Sequence, residues 1–248
     1  MSIHPSARGF ETAADDYERA RPDYPDAAGQ WLAEQLDLRA GRRIVDLAAG
    51  TGKLTRVLAA TGADVVAIEP VAEMRALLAA VLPGVESLDG VAERIPLDAA
   101  SVDAAAVAQA FHWFDGDRAL EELHRVVRER GRLAVVYNRR PLDDPIQAGL
   151  EEIMSPVRGD TPAHRSGRWR DAFDRTSAWA PVAETEIRHR QRLDREGVVA
   201  RAASVSFVAR LPDERRHEVL AQVRALVRDR SEPIDLPYTC EMFVWQRA

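Results

Sequence analysis

The chain has 248 residues, of which 46% are hydrophobic and 30% charged, and its formal net charge is −6 at pH 7. This length supports a sizeable α/β core, whereas the acidic balance argues against a nucleic-acid surface, which relies on clustered Lys and Arg. Its one cysteine, Cys240, cannot form an internal disulfide. Because the N-terminal stretch MSIHPSARGF has no apolar run typical of a signal peptide or membrane span, we expect a soluble, cytoplasmic protein.

Apolar runs of strand length alternate with segments of helical period between residues 41 and 138. Three helical segments show apolar residues at helical spacing; the third includes Leu120, Leu123, Val126 and Val127. This alternation predicts a Rossmann-like, doubly wound α/β fold with a mostly parallel sheet and helices on both faces. The predicted strands are 43–47, 64–69, 84–88, 103–108 and 132–137.

The pattern changes after residue 138. Residues 143–155 and 212–229 have helical periodicity, whereas 183–192 and 237–246 alternate like strands with one exposed face. Such alternation predicts an antiparallel strand near the C-terminus, added to the edge of the parallel sheet. Because no Pro/Gly/Ser-rich linker interrupts the sequence, residues 1–248 are predicted to form a single domain.

The stretch IVDLAAGTGKLT, residues 44–55, ends a predicted strand with an acid and then breaks into small residues. Ligands of open α/β sheets bind at the carboxyl ends of the strands. Gly50 and Gly52 let the backbone approach a ligand closely, and Asp46 can accept from hydroxyl or ammonium groups. Glu69 ends the next predicted strand about 20 residues later, the spacing at which an acid meets ribose hydroxyls. These residues predict a nucleoside-containing cofactor, the alternative being a solvated glycine-rich turn.

The glycine spacing discriminates between nucleoside cofactors. Dinucleotide enzymes place G-x-G-x-x-G at this turn, whereas the sequence from Gly50 reads G-T-G-K-L-T, with Thr55 at the third glycine position. The stretch instead resembles the first motif of class I S-adenosylmethionine-dependent methyltransferases, roughly D-x-G-x-G-x-G, with Ala48 replacing its first glycine. If the backbone at residue 48 needs a positive φ, alanine costs about 1 kcal/mol or more.

Further segments carry the same resemblance, which covers residues 10–248. VVAIEP with Met74 resembles the second motif of the family, and GVAERIPL (90–97) resembles the segment that faces the adenine amino edge. AQAFHWFD (108–115) resembles the fourth-strand motif of the branch that includes trans-aconitate methyltransferases, and FETAADDYERARPDYP (10–25) resembles its N-terminal lid.

The resemblance divides the domain into a helical lid (1–40), a cofactor-binding βα core (41–138) and acceptor-side helices with the last strands (139–248). It implies that S-adenosylmethionine is the methyl donor and S-adenosylhomocysteine the product. Glu69 would hold the ribose, and an arginine of the lid would pair with the cofactor carboxylate. The predicted cofactor-binding residues are Tyr17, Arg21, Asp46, Ala48, Gly50, Thr51, Gly52, Leu54, Glu69, Pro70, Met74, Ala92, Glu93, Gln109 and Ala110.

The predicted acceptor site combines the lid with the loops after the fourth and fifth strands. Its arginines suit an anionic group and its tryptophans an apolar face. The alternatives are a strand-end histidine bonded to backbone beside a core tryptophan, and a solvated basic loop at 160–175. The predicted acceptor residues are Tyr24, His112, Trp113, Asn138, Arg168, Trp169 and Arg170.

These observations predict methyl transfer to a small-molecule acceptor, a carboxylate or an aromatic metabolite, by in-line displacement at the sulfonium methyl. His112 is the candidate catalytic base, needed only for an acceptor that arrives protonated. The sequence contains no H-E-x-x-H pair and no cysteine cluster, so it predicts no metal site. Neither a nucleic acid nor a membrane is an expected partner. Two alternatives remain open, a nicotinamide-dependent oxidoreductase and a non-catalytic cofactor-binding regulatory protein. The oligomeric state is not predicted.

Overall fold

The structure is a computed structural model, which describes residues 20–248. Its strands are β1 (Arg43–Leu47), β2 (Asp64–Ile68), β3 (Glu86–Leu88), β4 (Val102–Ala108), β5 (Val127–Arg139), β6 (Trp179–Leu193) and β7 (Ile234–Arg247). They form a seven-stranded sheet in the order β3-β2-β1-β4-β5-β7-β6. The sheet is mostly parallel with one antiparallel pair, which confirms the predicted Rossmann-like fold.

Helices connect the strands and follow the predicted periodicity. They are α1 (Asp26–Leu36), α2 (Lys53–Ala59), α3 (Ala72–Val81), α4 (Gly116–Val126), α5 (Pro145–Met154), α6 (Asp171–Asp174), α7 (Arg195–Ala203), α8 (Ser206–Ala209) and α9 (Asp213–Val227). Within residues 20–248, no helix combines the length and apolarity needed to cross a membrane.

One boundary differs from the sequence-based prediction. Val127, assigned above to the face of the third helix, is the first residue of β5 and has an extended backbone with φ −77° and ψ 135°. It pairs in the sheet with Val102 of β4. An apolar residue after Val126 fits a helical stripe and a buried strand equally well, so the pairing with β4 decides its conformation.

The chain divides into two compact units. The larger unit comprises Tyr24–Asn138, Pro162–Ile187 and Cys240–Ala248, and the smaller unit comprises Arg139–Thr161 and Arg188–Thr239 with the described residues 20–23. Each unit has its own hydrophobic core.

In the larger unit, successive residues of the central strands face opposite cores. Val45 of β1 packs on one face in the same core as Leu123 of α4, whereas Ile44 packs on the other with Leu32 of α1 and Leu58 of α2. Burial on both faces explains why these strands read as continuous apolar runs. Because β1 to β5 run parallel, the loops that follow them lie at one edge of the sheet, where ligands bind in such folds.

The core of the smaller unit lies among α5, α7, α9 and the first half of β7. Leu150, Val198, Val223 and Tyr238 are all buried in it. The start of α5 is capped by Asp144, whose carboxylate accepts from the backbone N–H groups of residues 146 and 147 at 3.0 and 2.9 Å.

The register of β5 against β4 shifts at a bulge. Val102 faces Val127, but Ala104 faces Arg132, so β5 carries extra residues at this point. Gly131 lies within the extra stretch, and a Cβ added to it would lie 2.6 Å from the carbonyl oxygen of Asp103. Glycine is therefore required by the close approach of two backbones.

We expect Gly131→Ala to lower the free energy of unfolding by about 1–3 kcal/mol, because the new methyl group overpacks against backbone. The matched control is Gly84→Ala, since a Cβ at Gly84 meets nothing within 4 Å. Urea unfolding of both variants measures the difference. Equal stabilities would contradict the close backbone contact at the bulge.

Candidate active site

The loop between β1 and α2 has an unusual backbone. Ala48, Gly50 and Gly52 have positive φ values of 57°, 59° and 90°. The loop is held by the N–H of Ala49, which donates to the carbonyl oxygen of Ile68 at 3.1 Å. Residue 48 therefore does need the left-handed conformation, and its alanine carries the strain of about 1 kcal/mol that a glycine would avoid.

Asp46 is buried beneath this loop, with 1% of its surface exposed. Its Oδ2 accepts a hydrogen bond from the Thr55 hydroxyl at 2.6 Å, and its Oδ1 is buried without a partner among the described residues. Burial raises the pKa of Asp46 to about 7, opposed by the Thr55 hydrogen bond and reinforced by the nearby Glu69 carboxylate. An acid in this state can accept one further hydrogen bond from a ligand.

Thr55 is a residue that the sequence analysis considered only as a missing glycine. Its side chain is fully buried and donates to Asp46 from the first turn of α2. The sequence does contain a signal for Thr55. It is a hydroxyl residue placed one helical turn after the loop, a position from which it can face the end of β1.

Glu69 is the second buried acid, at the end of β2, and is 5% exposed. Its Oε2 accepts from the N–H of Gly50 at 2.8 Å and its Oε1 from the N–H of Val71 at 2.9 Å. Burial raises its pKa, while these two backbone hydrogen bonds act in the opposite direction. Each oxygen keeps a second lone pair, so the carboxylate can tie the loop in place and still accept from a ribose hydroxyl.

Most of the other predicted cofactor residues lie on the strand-end loops, whereas Leu54 lies on α2 and Met74 on α3. Met74 and Ala92 are buried, and Glu93 accepts from the N–H of Asp115 at 2.9 Å, beside the start of α4. Tyr17 lies outside the described residues. Arg21 belongs to the smaller unit, where it donates to the carbonyl oxygen of Ser204 at 2.8 Å. Cofactor contacts for these residues remain predictions.

The loop after β4 joins a predicted cofactor residue to a predicted acceptor residue. Gln109 has a positive φ of 58°, and its N–H donates to the carbonyl oxygen of Val136 at 2.8 Å. Its side-chain amide donates to the Tyr24 hydroxyl at 3.4 Å. The structure thus brings Gln109 and Tyr24 together, 85 positions apart in the sequence.

Four aromatic and imidazole side chains lie close together, and we call them the imidazole–tyrosine cluster: His112 and Trp113 after β4, Tyr137 within β5, and His164 after β5. The Tyr137 hydroxyl lies 3.2 Å from the backbone N of His112, which donates to it, and 3.3 Å from its Nδ1. The ring of His164 stacks on Tyr137 with centroids 4.8 Å apart, and Trp113 lies 4.9 Å from His112. Burial raises the pKa of Tyr137, so its hydroxyl keeps its proton.

Within this cluster, Tyr137 was not predicted as a site residue, and His164 was considered only as part of the basic loop at 160–175 that could form the acceptor wall. The available signal for Tyr137 was a tyrosine inside an apolar strand, because a buried hydroxyl needs a hydrogen-bonding partner.

The predicted basic acceptor wall is arranged around an aromatic core. Trp169 is 8% exposed and packs 5.3 Å from Tyr137 and 5.6 Å from Phe243, measured between ring centroids. The guanidinium of Arg170 lies 4.2 Å from the centre of the Phe243 ring, and Arg168 is exposed. Asn138, at the end of β5, is 8% exposed. Acceptor contacts of Asn138 and of this wall remain predictions.

Comparison with known proteins decides the family. The methyltransferase domain family matches residues 45–135. An uncharacterised methyltransferase of Mycobacterium tuberculosis is 38% identical over 236 residues, which cover 92% of this chain and 91% of that relative. The chain belongs to the class I S-adenosylmethionine-dependent methyltransferases.

Two further relatives of the methyltransferase agree with this assignment. An uncharacterised methyltransferase-like protein of Schizosaccharomyces pombe is 31% identical over 220 residues, covering 88% of this chain and 86% of the relative. The solved structure of a proposed type II methyltransferase from Anaeromyxobacter dehalogenans is 25% identical, with a TM-score of 0.64, covering 92% of this chain and 97% of that chain.

The residues at the strand ends fit the methyl donor of this family. The buried Oδ1 of Asp46, which has no partner in residues 20–248, suits an ammonium or hydroxyl donor. The carboxylate of Glu69 suits a pair of ribose hydroxyls. When bound, S-adenosylmethionine supplies the electrophilic methyl group. The described part of the methyltransferase shows no cluster of His, Cys, Asp and Glu suited to hold a metal ion.

We expect Glu69→Ala to weaken S-adenosylhomocysteine binding by about 10- to 100-fold. Hydrogen bonds to a charged group contribute about 1.5–3 kcal/mol, and about 1.4 kcal/mol changes affinity tenfold. Isothermal titration gives the affinity, with Glu73→Ala as control because Glu73 is an exposed acid in the first turn of α3. Unchanged affinity in a folded Glu69→Ala protein would remove Glu69 from the cofactor site.

The raised pKa of Asp46 predicts a pH-dependent stability. Between the unfolded value near 4 and the folded value of about 7, the folded protein binds the proton more tightly than the unfolded chain. This contribution therefore falls as pH rises, by up to about 1.4 kcal/mol per pH unit. We expect the stability of Asp46→Asn relative to wild type to increase from pH 5 to pH 7 in denaturant unfolding. Parallel pH profiles would show that Asp46 titrates normally.

Proposed function

We propose that this methyltransferase transfers the methyl group of S-adenosylmethionine to a small organic acceptor that carries a carboxylate or an aromatic ring. The observation that carries the proposal is the imidazole–tyrosine cluster, because it places a half-buried histidine and tryptophan beside the loop that follows β4. Small-molecule sites combine an apolar wall with a few well-placed polar groups.

The surface supports a small acceptor over a lipid or a macromolecule. The exposed large hydrophobic residues of the described chain are Val81, Leu142 and Val182, which belong to α3, a loop and β6. Contiguous apolar patches, which mark membrane or protein docking, usually involve more residues than these. The net charge of −6 supports an acceptor other than a nucleic acid. We include the absence of a nucleic-acid or membrane partner in the proposal.

The proposed reaction is an in-line displacement in which the acceptor atom attacks the methyl carbon and the bond to sulfur breaks. Alignment of the acceptor by the protein can supply about 7–11 kcal/mol of the barrier in favourable cases. A carboxylate arrives ionised and needs no base, whereas a phenol or enol must lose a proton. Residues that orient the acceptor therefore matter for both acceptor classes, and a base matters for one.

The contacts of His112 define how it would act as that base. Its Nε2 can accept a proton only when Nδ1 carries the ring hydrogen, and Nδ1–H would then donate to the Tyr137 oxygen 3.3 Å away. In the other neutral tautomer the Tyr137 hydroxyl donates to Nδ1, and Nε2–H becomes a hydrogen-bond donor to the acceptor. Tyr137 thus positions His112 in either role.

Two features favour different acceptors. Trp113 supports an aromatic ring, since it is half-buried and packs on His112. Arg168 and Arg170, together with the resemblance to the trans-aconitate methyltransferase branch, support a carboxylate. Acceptor identity diverges readily on a shared fold, so we propose both and let the screen decide between them.

The proposal is tested by incubating the protein with S-adenosylmethionine and panels of small carboxylic acids, phenols and indoles, followed by mass spectrometry for a methyl adduct. With a phenol acceptor, we expect His112→Asn to lower kcat by about 100-fold and Tyr137→Phe to lower it in the same direction. With a carboxylate acceptor, both variants should retain kcat within a few-fold.

The control for these variants is His217→Asn, because His217 is exposed on α9 and belongs to the smaller unit. It should leave kcat unchanged with every acceptor. If only proteins, nucleic acids or lipids accept the methyl group, the proposed acceptor class is wrong.

A further inference from the structure

Asp46, at the end of β1 in the larger unit, is a buried acid with one of its two oxygens satisfied. Its Oδ2 accepts from the Thr55 hydroxyl at 2.6 Å, whereas its Oδ1 is buried and has no partner among residues 20–248. In the sheet Asp46 pairs with Ala67 of β2 and Ala106 of β4, whose side chains carry neither a charge nor a hydrogen-bonding group. Because a buried carboxylate is costly unless it is compensated, this arrangement suits a ligand group that donates to Oδ1.

The charges around Asp46 favour a cation as that ligand group. Burial raises the pKa of Asp46 to about 7, the Thr55 hydroxyl opposes this effect, and repulsion by the Glu69 carboxylate adds to it. Glu69 is in turn affected by Arg75, whose Nη1 donates to the Glu69 carbonyl oxygen at 2.7 Å, and by Asp89. Within residues 20–248, no cation acts directly on Asp46. A positively charged ligand group would therefore stabilise its ionised form.

Thr55 fixes the orientation of the Asp46 carboxyl group. It is fully buried in the first turn of α2, so its side chain is held by packing as well as by its hydrogen bond. The hydroxyl lowers the pKa of Asp46, and the backbone N–H of Thr55 acts in the same direction. A donor bound to Oδ2 leaves Oδ1 for a ligand. Valine at position 55 would keep the branched shape and the backbone N–H but lose the hydroxyl donor.

We propose that Thr55 is a positioning residue for the methyl donor, and that its hydrogen bond to Asp46 couples the binding of the cofactor's ammonium group to the release of a proton from Asp46. The O–H bond of the protonated carboxyl group breaks, the proton passes to the solvent, and the ionised carboxylate accepts from the ammonium group. An ammonium group gains more from an ionised partner than a neutral hydroxyl does. This inference concerns the methyl donor alone, so it is independent of which acceptor the methyltransferase uses.

Two ligands separate the ammonium group from the rest of the cofactor. S-adenosylhomocysteine carries it, whereas methylthioadenosine has the same nucleoside and lacks the amino-acid end. The ratio of their affinities cancels effects at the ribose, including any titration of Glu69. Because Asp46 is about half protonated at pH 7, we expect this ratio to rise about eightfold from pH 6 to pH 7.5 in favour of S-adenosylhomocysteine. A histidine that held the cofactor carboxylate would give the opposite sign, since it loses its charge as pH rises.

The first test counts protons in the wild-type protein. Isothermal titration at pH 6.5 in buffers of different ionisation enthalpy gives the number of protons released as each ligand binds. We expect S-adenosylhomocysteine to release about 0.8 proton more than methylthioadenosine does, the protonated fraction of a group whose pKa is about 7. Proton uptake, or an equal count for the two ligands, would overturn the coupling to Asp46. An equal count would also result if Asp46 bonded a ribose hydroxyl, which both ligands carry.

The second test assigns the coupling to Thr55. We expect Thr55→Val to move the midpoint of the pH dependence upward by about one pH unit, because the ionised carboxylate loses one hydrogen bond. Its affinity for S-adenosylhomocysteine at pH 7 should then fall about fivefold, while its affinity for methylthioadenosine stays within about twofold. Thr55→Ser keeps the hydroxyl and should restore the wild-type profile, and Asp46→Asn should make the affinity ratio independent of pH.

The matched control is Thr61→Val, because the Thr61 hydroxyl, just after α2, donates to the carbonyl oxygen of Leu58 at 2.6 Å. It should match wild type with both ligands at every pH. A folded Thr55→Val protein with the wild-type profile would remove Thr55 from the inference, and an equal loss of affinity for both ligands would show that Thr55 only stabilises the fold. If Thr55→Val does not fold, Thr55→Ala takes its place with the same expected and contradicting results.

Discussion

Two carboxylates buried at the ends of adjacent parallel strands are the constraint around which the cofactor side of this methyltransferase is organised. Asp46 and Glu69 are almost completely removed from water, and burial raises both pKa values. Such groups are tolerated only when hydrogen bonds compensate them. The Thr55 hydroxyl and the N–H of Gly50 provide that compensation, and in doing so they fix the loop between β1 and α2.

The strain of the loop follows from the same constraint. For Glu69 to accept from Gly50, the chain must turn back across the end of β2, which requires positive φ at Ala48, Gly50 and Gly52. A non-glycine residue in this conformation persists only where its surroundings hold it, and such positions concentrate at functional sites. Ala48 therefore departs from the glycine motif in sequence only. The hydrogen bonds of the two acids hold its backbone in the left-handed conformation that the motif requires.

Much of the fold is predictable because the central strands are buried on both faces and therefore read as apolar runs. Asp46 and Glu69 were predicted because residues at strand ends need only local sequence to be placed. Thr55 and Tyr137 were missed as site residues because their roles depend on partners 9 and 25 positions away, contacts that periodicity does not encode. Val127 was placed on a helix because its pairing with Val102 is also non-local.

A crystal structure of the protein with S-adenosylhomocysteine tests the central claim, that the two buried acids form the cofactor site, most directly. We expect ribose hydroxyls within hydrogen-bonding distance of the Glu69 carboxylate, a polar group of the ligand bonded to Asp46 Oδ1, and an unchanged left-handed backbone at Ala48. A ligand bound away from the ends of β1 and β2, with both carboxylates keeping only their protein partners, would contradict it.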